Sequence, residues 1–319
     1  MKGKGYSQQP DPPAFTECER GGTRPGHQLE KVGAGPVNES HLRILSIAVF
    51  AIGYVVIIIA EMAVPLRGRK KSLVSRLPAN AGLTLLTFIT GAFIVRPVAL
   101  WVSLWSSKNS IGLFHSVHLP GWFSFIAAFM LMDLTFYYWH RINHTVHLLW
   151  RFHSVHHIDP DLDVTTSFRF HFGEVLYSTV FRVLQVSLLG IGPVTYVAYE
   201  LLFTGATLFH HSNLRIPVDI ERRLNRVIVT PRMHGIHHSV VRRELNSNYS
   251  VIFRWWDTIN GSLLLNIPQS AINIGVGRYQ NPEDNSFFKL LALPFRAFTR
   301  ERASGRPRFG SANKKVLAE

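Results

Sequence analysis

Between Ile44 and Pro65 the chain reads as one apolar run, IAVFAIGYVVIIIA at its centre, with Glu61 near its end. A helix that crosses a bilayer needs ~20 apolar residues, and this run supplies them. A second run covers Ala81 to Trp105 with Arg96 as its one charge, and a third covers Pro120 to Trp139 with Asp133 near its end. A fourth, Val175 to Phe209, has 35 residues interrupted by Gly190, Gly192 and Pro193. As one helix it would be ~50 Å long, too long for a single pass of a ~30 Å hydrocarbon core. The Gly-Ile-Gly-Pro break therefore predicts a hairpin of two short or tilted passes. These runs predict an all-α, polytopic membrane protein with four to five membrane-embedded helices and a cytoplasmic helical cap.

Charge supports that reading. Hydrophobic residues make up 47% and charged residues 17%, and the net charge is +14. The basic excess lies in the loop 65–78 and after His211, flanking apolar segments. Basic loops stay cytoplasmic and meet anionic headgroups; no nucleic-acid motif is evident, so no nucleic-acid partner is expected. With 67–76 cytoplasmic, 106–119 falls outside, and 140–173 and 210–319 return to the cytoplasmic face. The single cysteine, Cys18, excludes an internal disulfide and a thiolate metal site. The predicted organisation is a polar, Gly- and Pro-rich head (1–42) expected to be disordered, transmembrane helices (43–139), a histidine-rich domain (140–265) that includes the hairpin 175–209, and a basic tail (266–319).

Twelve of the sixteen histidines lie between 140 and 238. His140 and His144 form an HxxxH pair, and His153, His156 and His157 an HxxHH motif. His234, His237 and His238 form a second HxxHH. Spacings of three and four put side chains on one helical face, ~5–6 Å apart at Cβ, close enough for two imidazoles to share an ion. A lone histidine is usually a solvated or satisfied polar group, but this pattern is too regular for that. Eight or more imidazoles gathered together would repel if protonated, and a bound cation keeps them neutral. Zinc takes four ligands, so eight to ten histidines imply two metals. There is no HExxH motif and few acids interleave the histidines. An all-nitrogen pair of redox ions beside a lipid-facing cavity suits activation of O2. The rival readings are a metal-transporting or metal-storing membrane protein and a membrane zinc hydrolase.

The same residues resemble the fatty acid hydroxylase / sterol desaturase superfamily of membrane di-iron oxygenases. The resemblance rests on DLTFYYWHRINH (133–144), FHSVHHIDP (152–160), TSFRFHFGE (166–174), FHHSNLRIP (209–217) and TPRMHGIHHS (230–239), and covers roughly 133–265. Phe172 stands where the family commonly has proline, and WDTINGSL (256–263) is a looser match. The resemblance implies two iron ions, with zinc as a substitute, and O2 as co-substrate. It also implies a membrane lipid substrate, hydroxylated or desaturated, and an external electron-donor protein. Ten residues are implied as ligands: His140, His144, His153, His156, His157, His171, His211, His234, His237 and His238. His147 reads as a neighbouring surface residue.

Asp133 precedes His140 by two helical turns and is read as holding a ligand's second ring nitrogen, against the alternative of an interfacial carboxylate. Glu174, three residues after His171, is read in the same way, against simple capping of the next helix. His210 and Asn213 complete this supporting set. Glu200, inside an apolar run, either lines the substrate channel or pairs with Arg182. Phe136 to Trp139, Trp255 and Trp256 read as interfacial aromatics.

Overall fold

The computed structural model describes residues 39–296, with side-chain surroundings from residue 51 onward. Of the expected head (1–42), residues 1–38 lie outside the described residues, as does the end of the basic tail (297–319); α1 starts at Glu39. Among the described residues the regular elements are helices, and β pairing is limited to isolated bridges. In chain order they are α1 (Glu39–Ala63), α2 (Leu73–Thr90), α3 (Arg96–Lys108), α4 (Leu113–Ser116), α5 (Gly121–Thr145), α6 (His147–His157) and α7 (Phe172–Leu189). There follow α8 (Pro193–His211), α9 (Val218–Leu224), α10 (Pro231–His237), α11 (Arg242–Leu245), α12 (Trp255–Ile259) and α13 (Phe287–Ala292).

Ser72 caps α2, accepting from the Ser75 N–H. A single π turn, Gly91–Val95, joins α2 to α3. Its cause is Pro97, which has no N–H to donate and would crowd the carbonyl four residues back. α7 ends at Gly190, where φ is +72°. A Cβ there would lie 2.9 Å from the Ile111 carbonyl oxygen, so only glycine makes this turn. Pro193 then starts α8.

Three stretches are long and apolar enough to cross a membrane: Leu73–Ser116, Gly121–Thr145 and Phe172–Leu189. Only 17–28% of their apolar windows is buried within the protein. Phe93, Trp101, Val180 and Leu188 project outward, as side chains facing lipid do. α8, which carries Glu200, His210 and His211, is not among the three. The inward faces of α3, α5, α7 and α8 close on Ala99, Val102, Phe129, Met132, Val186 and Tyr199. A second apolar cluster, with Val155, Ile158, Leu83 and Leu290, packs under α6.

Buried polar ties connect the histidine-bearing segments to these helices. Arg76 on α2 grips Asp159 with two nitrogens at 2.7 and 2.8 Å and Asp163 at 2.6 Å, while Asn80 adds a bond to Asp159 at 3.0 Å. This fixes the loop that follows α6. Glu61, near the end of the first apolar run, is fully buried and accepts from the backbone N–H groups of Val164 and Asn213. One carboxylate thus joins the loop after α6 to the end of α8.

Candidate metal centre

α5 continues past the expected end of its apolar run at Trp139, so His140 and His144 sit on its last turns. α6 ends with His153, His156 and His157, α8 with His210 and His211, and α10 carries His234 and His237 with His238 at its C-cap. These four helix ends converge. Nine of the ten expected ligands form two groups whose ring nitrogens lie within 4.8 Å of one another: His140, His144, His153, His157 and His237, and then His156, His211, His234 and His238.

Each HxxHH motif is divided between the groups. His153 and His157 turn to one and His156 to the other; His234 and His238 turn to one and His237 to the other. Adjacent residues on a helix point ~100° apart, so the two histidines of an HH pair diverge, while residues four apart stay together.

The hydrogen bonds at the outer nitrogens fix the inner ones. His140 Nδ1 donates to the Tyr249 carbonyl at 2.7 Å and His237 Nδ1 to the Ser247 carbonyl at 2.7 Å. His211 Nδ1 donates to the Thr207 carbonyl at 2.8 Å, and His153 Nδ1 to Glu174 Oε1 at 2.7 Å. A carbonyl only accepts, so Nδ1 carries the proton and Nε2 presents a lone pair. Yet His140 Nε2 and His237 Nε2 are 3.1 Å apart, and His211 Nε2 is 3.0 Å from both His156 Nε2 and His234 Nε2. The lone pairs of His140 and His237, each fixed by a backbone carbonyl and aimed at the other, repel unless a cation lies between them. With metal–nitrogen bonds of ~2.0–2.1 Å, ligand nitrogens of one ion stand ~3.0–3.4 Å apart, which is the spacing seen.

Burial, followed by the neighbouring imidazoles, holds His156, His157, His234 and His238 well below the ordinary histidine value, and burial takes His237 down to about 3. These rings are neutral at physiological pH and available as ligands. The donor set therefore fits two ions that favour nitrogen.

The remaining expected residues lie as follows. His171 is outside both groups: its Nδ1 accepts from the Gly173 N–H at 2.9 Å and its Nε2 donates to the Leu291 carbonyl at 3.1 Å, so it caps α7. His210 packs against His234 with ring centroids 4.1 Å apart and planes tilted by 55°. His147 is exposed at the start of α6. Asp133 does not reach a histidine. Its Oδ2 accepts from Trp256 Nε1 at 2.8 Å and from the Phe253 N–H at 3.0 Å, which tethers the 250s loop to α5. Asn213 exchanges hydrogen bonds with the Arg67 backbone rather than with a ring. Glu200 pairs with Arg182 at 2.8 Å. Trp256, expected at an interface, is buried.

Two supports were missed in the sequence. Asp257 accepts from the N–H groups of Tyr249 and Ser250 at 2.8 and 2.9 Å, which holds the strip whose Tyr249 carbonyl orients His140. Burial nevertheless pushes the Asp257 carboxyl above its ordinary value. Its signal was the WDTINGSL segment. Ser247 acts on His237 through its backbone carbonyl, and no side-chain motif announces that.

A cavity of about 170 Å³ opens onto the cluster, lined by His140, His153, His156, His211 and His234 together with Phe136, Trp139, Phe170, Phe203 and Val251. Phe136 and Trp139, expected in an interfacial belt, are part of this wall.

A family model for fatty acid hydroxylases matches residues 125–262. The chain is similar to an ornithine lipid hydroxylase of Rhizobium tropici, 28% identical over 55% of this chain and 51% of that protein. It is also similar to human cholesterol 25-hydroxylase, 28% identical over 42% of this chain and 48% of that protein. Human alkylglycerol monooxygenase is 26% identical over 44% of this chain and 30% of its own length. The chain thus spans about half the length, or less, of these curated relatives. No solved structure matches it significantly.

Proposed function

The chain belongs, through residues 125–262, to the fatty acid hydroxylase family, and from that premise we propose that it is a membrane di-iron oxygenase that hydroxylates or desaturates a C–H bond of a lipid. The observation that carries this is the lone-pair confrontation of His140 and His237 at 3.1 Å, both set by backbone carbonyls, with His140 in the wall of an apolar cavity.

His140, His144, His153, His157 and His237 would hold one iron ion, and His156, His211, His234 and His238 the other. The pair, when bound, supplies reduction of O2 with electrons from an external donor protein. The chain's own residues do the rest. Glu174 and the carbonyls of Tyr249, Ser247 and Thr207 keep four imidazoles turned inward in one tautomer. Phe136, Trp139, Phe170 and Phe203 exclude water and present a C–H bond to the cluster. The basic loop at 67–76 argues for a cytoplasmic metal face. The relatives' names, which speak of cholesterol, alkylglycerol and ornithine lipid, support a lipid substrate.

The test is the lipid composition of cells expressing the protein under isotopically heavy O2. The proposal expects one lipid class to gain a single labelled oxygen, or to lose two hydrogens, only when the protein and O2 are both present. No lipid change on expression and on deletion would overturn it.

A further inference from the structure

The cavity has a far end, and its position can be read along two helices. On α8 the wall descends from His211 through His210 and Thr207 to Phe203. Phe203 is eight residues from His211, ~12 Å along a helix. On α7 it descends from Glu174 through Val175 to Ser178. The next residue on that face, Arg182, is buried and no longer lines the cavity. It pairs instead with Glu200 of α8, the residue one turn beyond Phe203.

Between that ion pair and the cavity stand two rings. Phe136 and Phe203 meet edge to face with centroids 4.5 Å apart. Phe136 also lies against Phe181 at 6.2 Å, and the Arg182 guanidinium carbon is 5.9 Å from the Phe136 ring centre. An intramembrane ion pair is costly to disturb, so the rings have a stiff backing. The cavity volume of about 170 Å³ is below the ~300–1,000 Å³ of sites for compact ligands, which favours a single slender chain over a fused ring system.

We propose that Phe136 and Phe203 form the stop of this cavity. They set how far an alkyl chain extends past the histidine cluster, and so which carbon faces it. This rests on the reading of the cavity as the lipid site.

Terminally brominated saturated fatty acids of increasing length are the probe, titrated into the full-length protein in detergent at fixed mole fraction. Bromine quenches nearby tryptophan, and Trp139 lines the cavity; Trp139→Phe identifies its share of the signal. The wild type binds up to one chain length and loses affinity beyond it. Phe203→Ala and Phe136→Ala move the optimum to longer chains. An added pair of buried methylenes improves the affinity of the longer probe about tenfold. Phe203→Trp moves the optimum the other way, which keeps the test decisive if an alanine variant fails to fold. A length optimum unchanged by all three variants overturns the stop while leaving the lipid site intact. No Trp139-dependent quenching by any chain in the wild type overturns the lipid site itself, and the stop with it.

Discussion

His157 and His238 stack with ring centroids 4.3 Å apart and planes 20° from parallel, yet they belong to different histidine groups. The stack is the seam between the two. Each ring keeps company with the histidine four residues before it on its own segment, His153 at 3.3 Å and His234 at 3.1 Å between Nε2 atoms. Two short motifs of identical spacing, brought together, thus build two adjacent nitrogen sets.

Glu174 is the one carboxylate bonded to the outer nitrogen of a histidine in the two groups, among the described residues. Glu174→Ala frees the His153 ring to turn. Loss of such an orienting partner lowers metal affinity or activity by ~10–100-fold. Glu174→Gln retains an accepting oxygen and recovers part of that loss. Competitive metal titration of the three proteins checks the order.

Asp257 is buried, and Asp257→Ala leaves the N–H groups of Tyr249 and Ser250 without their acceptor. Each unsatisfied buried group costs ~1–3 kcal/mol, so with two of them the variant loses on the order of 2–6 kcal/mol of stability. Because the same strip orients His140, metal affinity falls as well. Thermal melting with and without added iron separates the two effects.

Acid stability follows from Asp159. Burial alone would raise its carboxyl, but the Arg76 and Arg169 guanidinium groups outweigh that and bring it from 3.8 to about 2. A depressed carboxylate stabilises the fold fully above its unfolded value and loses that contribution as pH falls through the folded one. The difference is worth about 2 kcal/mol. The wild type therefore loses stability between about pH 4 and pH 2, and Asp159→Asn, already weaker at neutral pH, loses less over that window. Melting across the acid range measures both.

Chelation offers a further check. With the lone pairs of His140 and His237 opposed at 3.1 Å, the metal-free centre is held against its own repulsion. Removing iron lowers the melting temperature, and each tenfold excess of metal over its dissociation constant restores ~1.4 kcal/mol. A melting temperature indifferent to chelator and iron would contradict this.

The helical fold class and the gathering of nine histidines were legible because apolar runs and three- and four-residue spacings are local. What stayed hidden depends on contacts between distant segments. Asp133 and His140 share a face of α5, but a face does not say what packs on it, and the 250s loop takes the carboxylate through Trp256. His171 sits in a motif yet uses both ring nitrogens to cap α7 and to hold the Leu291 carbonyl. Tyr249 and Ser247 act through backbone oxygens, which carry no sequence signature. The division of each HxxHH between two groups follows from helix geometry, but only once α6 and α10 face each other.

The most direct measurement is the metal content of the purified protein and of one variant from each group, His144→Ala and His234→Ala, produced with iron and without competing zinc. Two irons per chain are predicted for the wild type and about one for each variant, with the remaining ion in the untouched group. A wild type that holds one ion or none, or variants that both keep two, would contradict a paired centre built from these imidazoles.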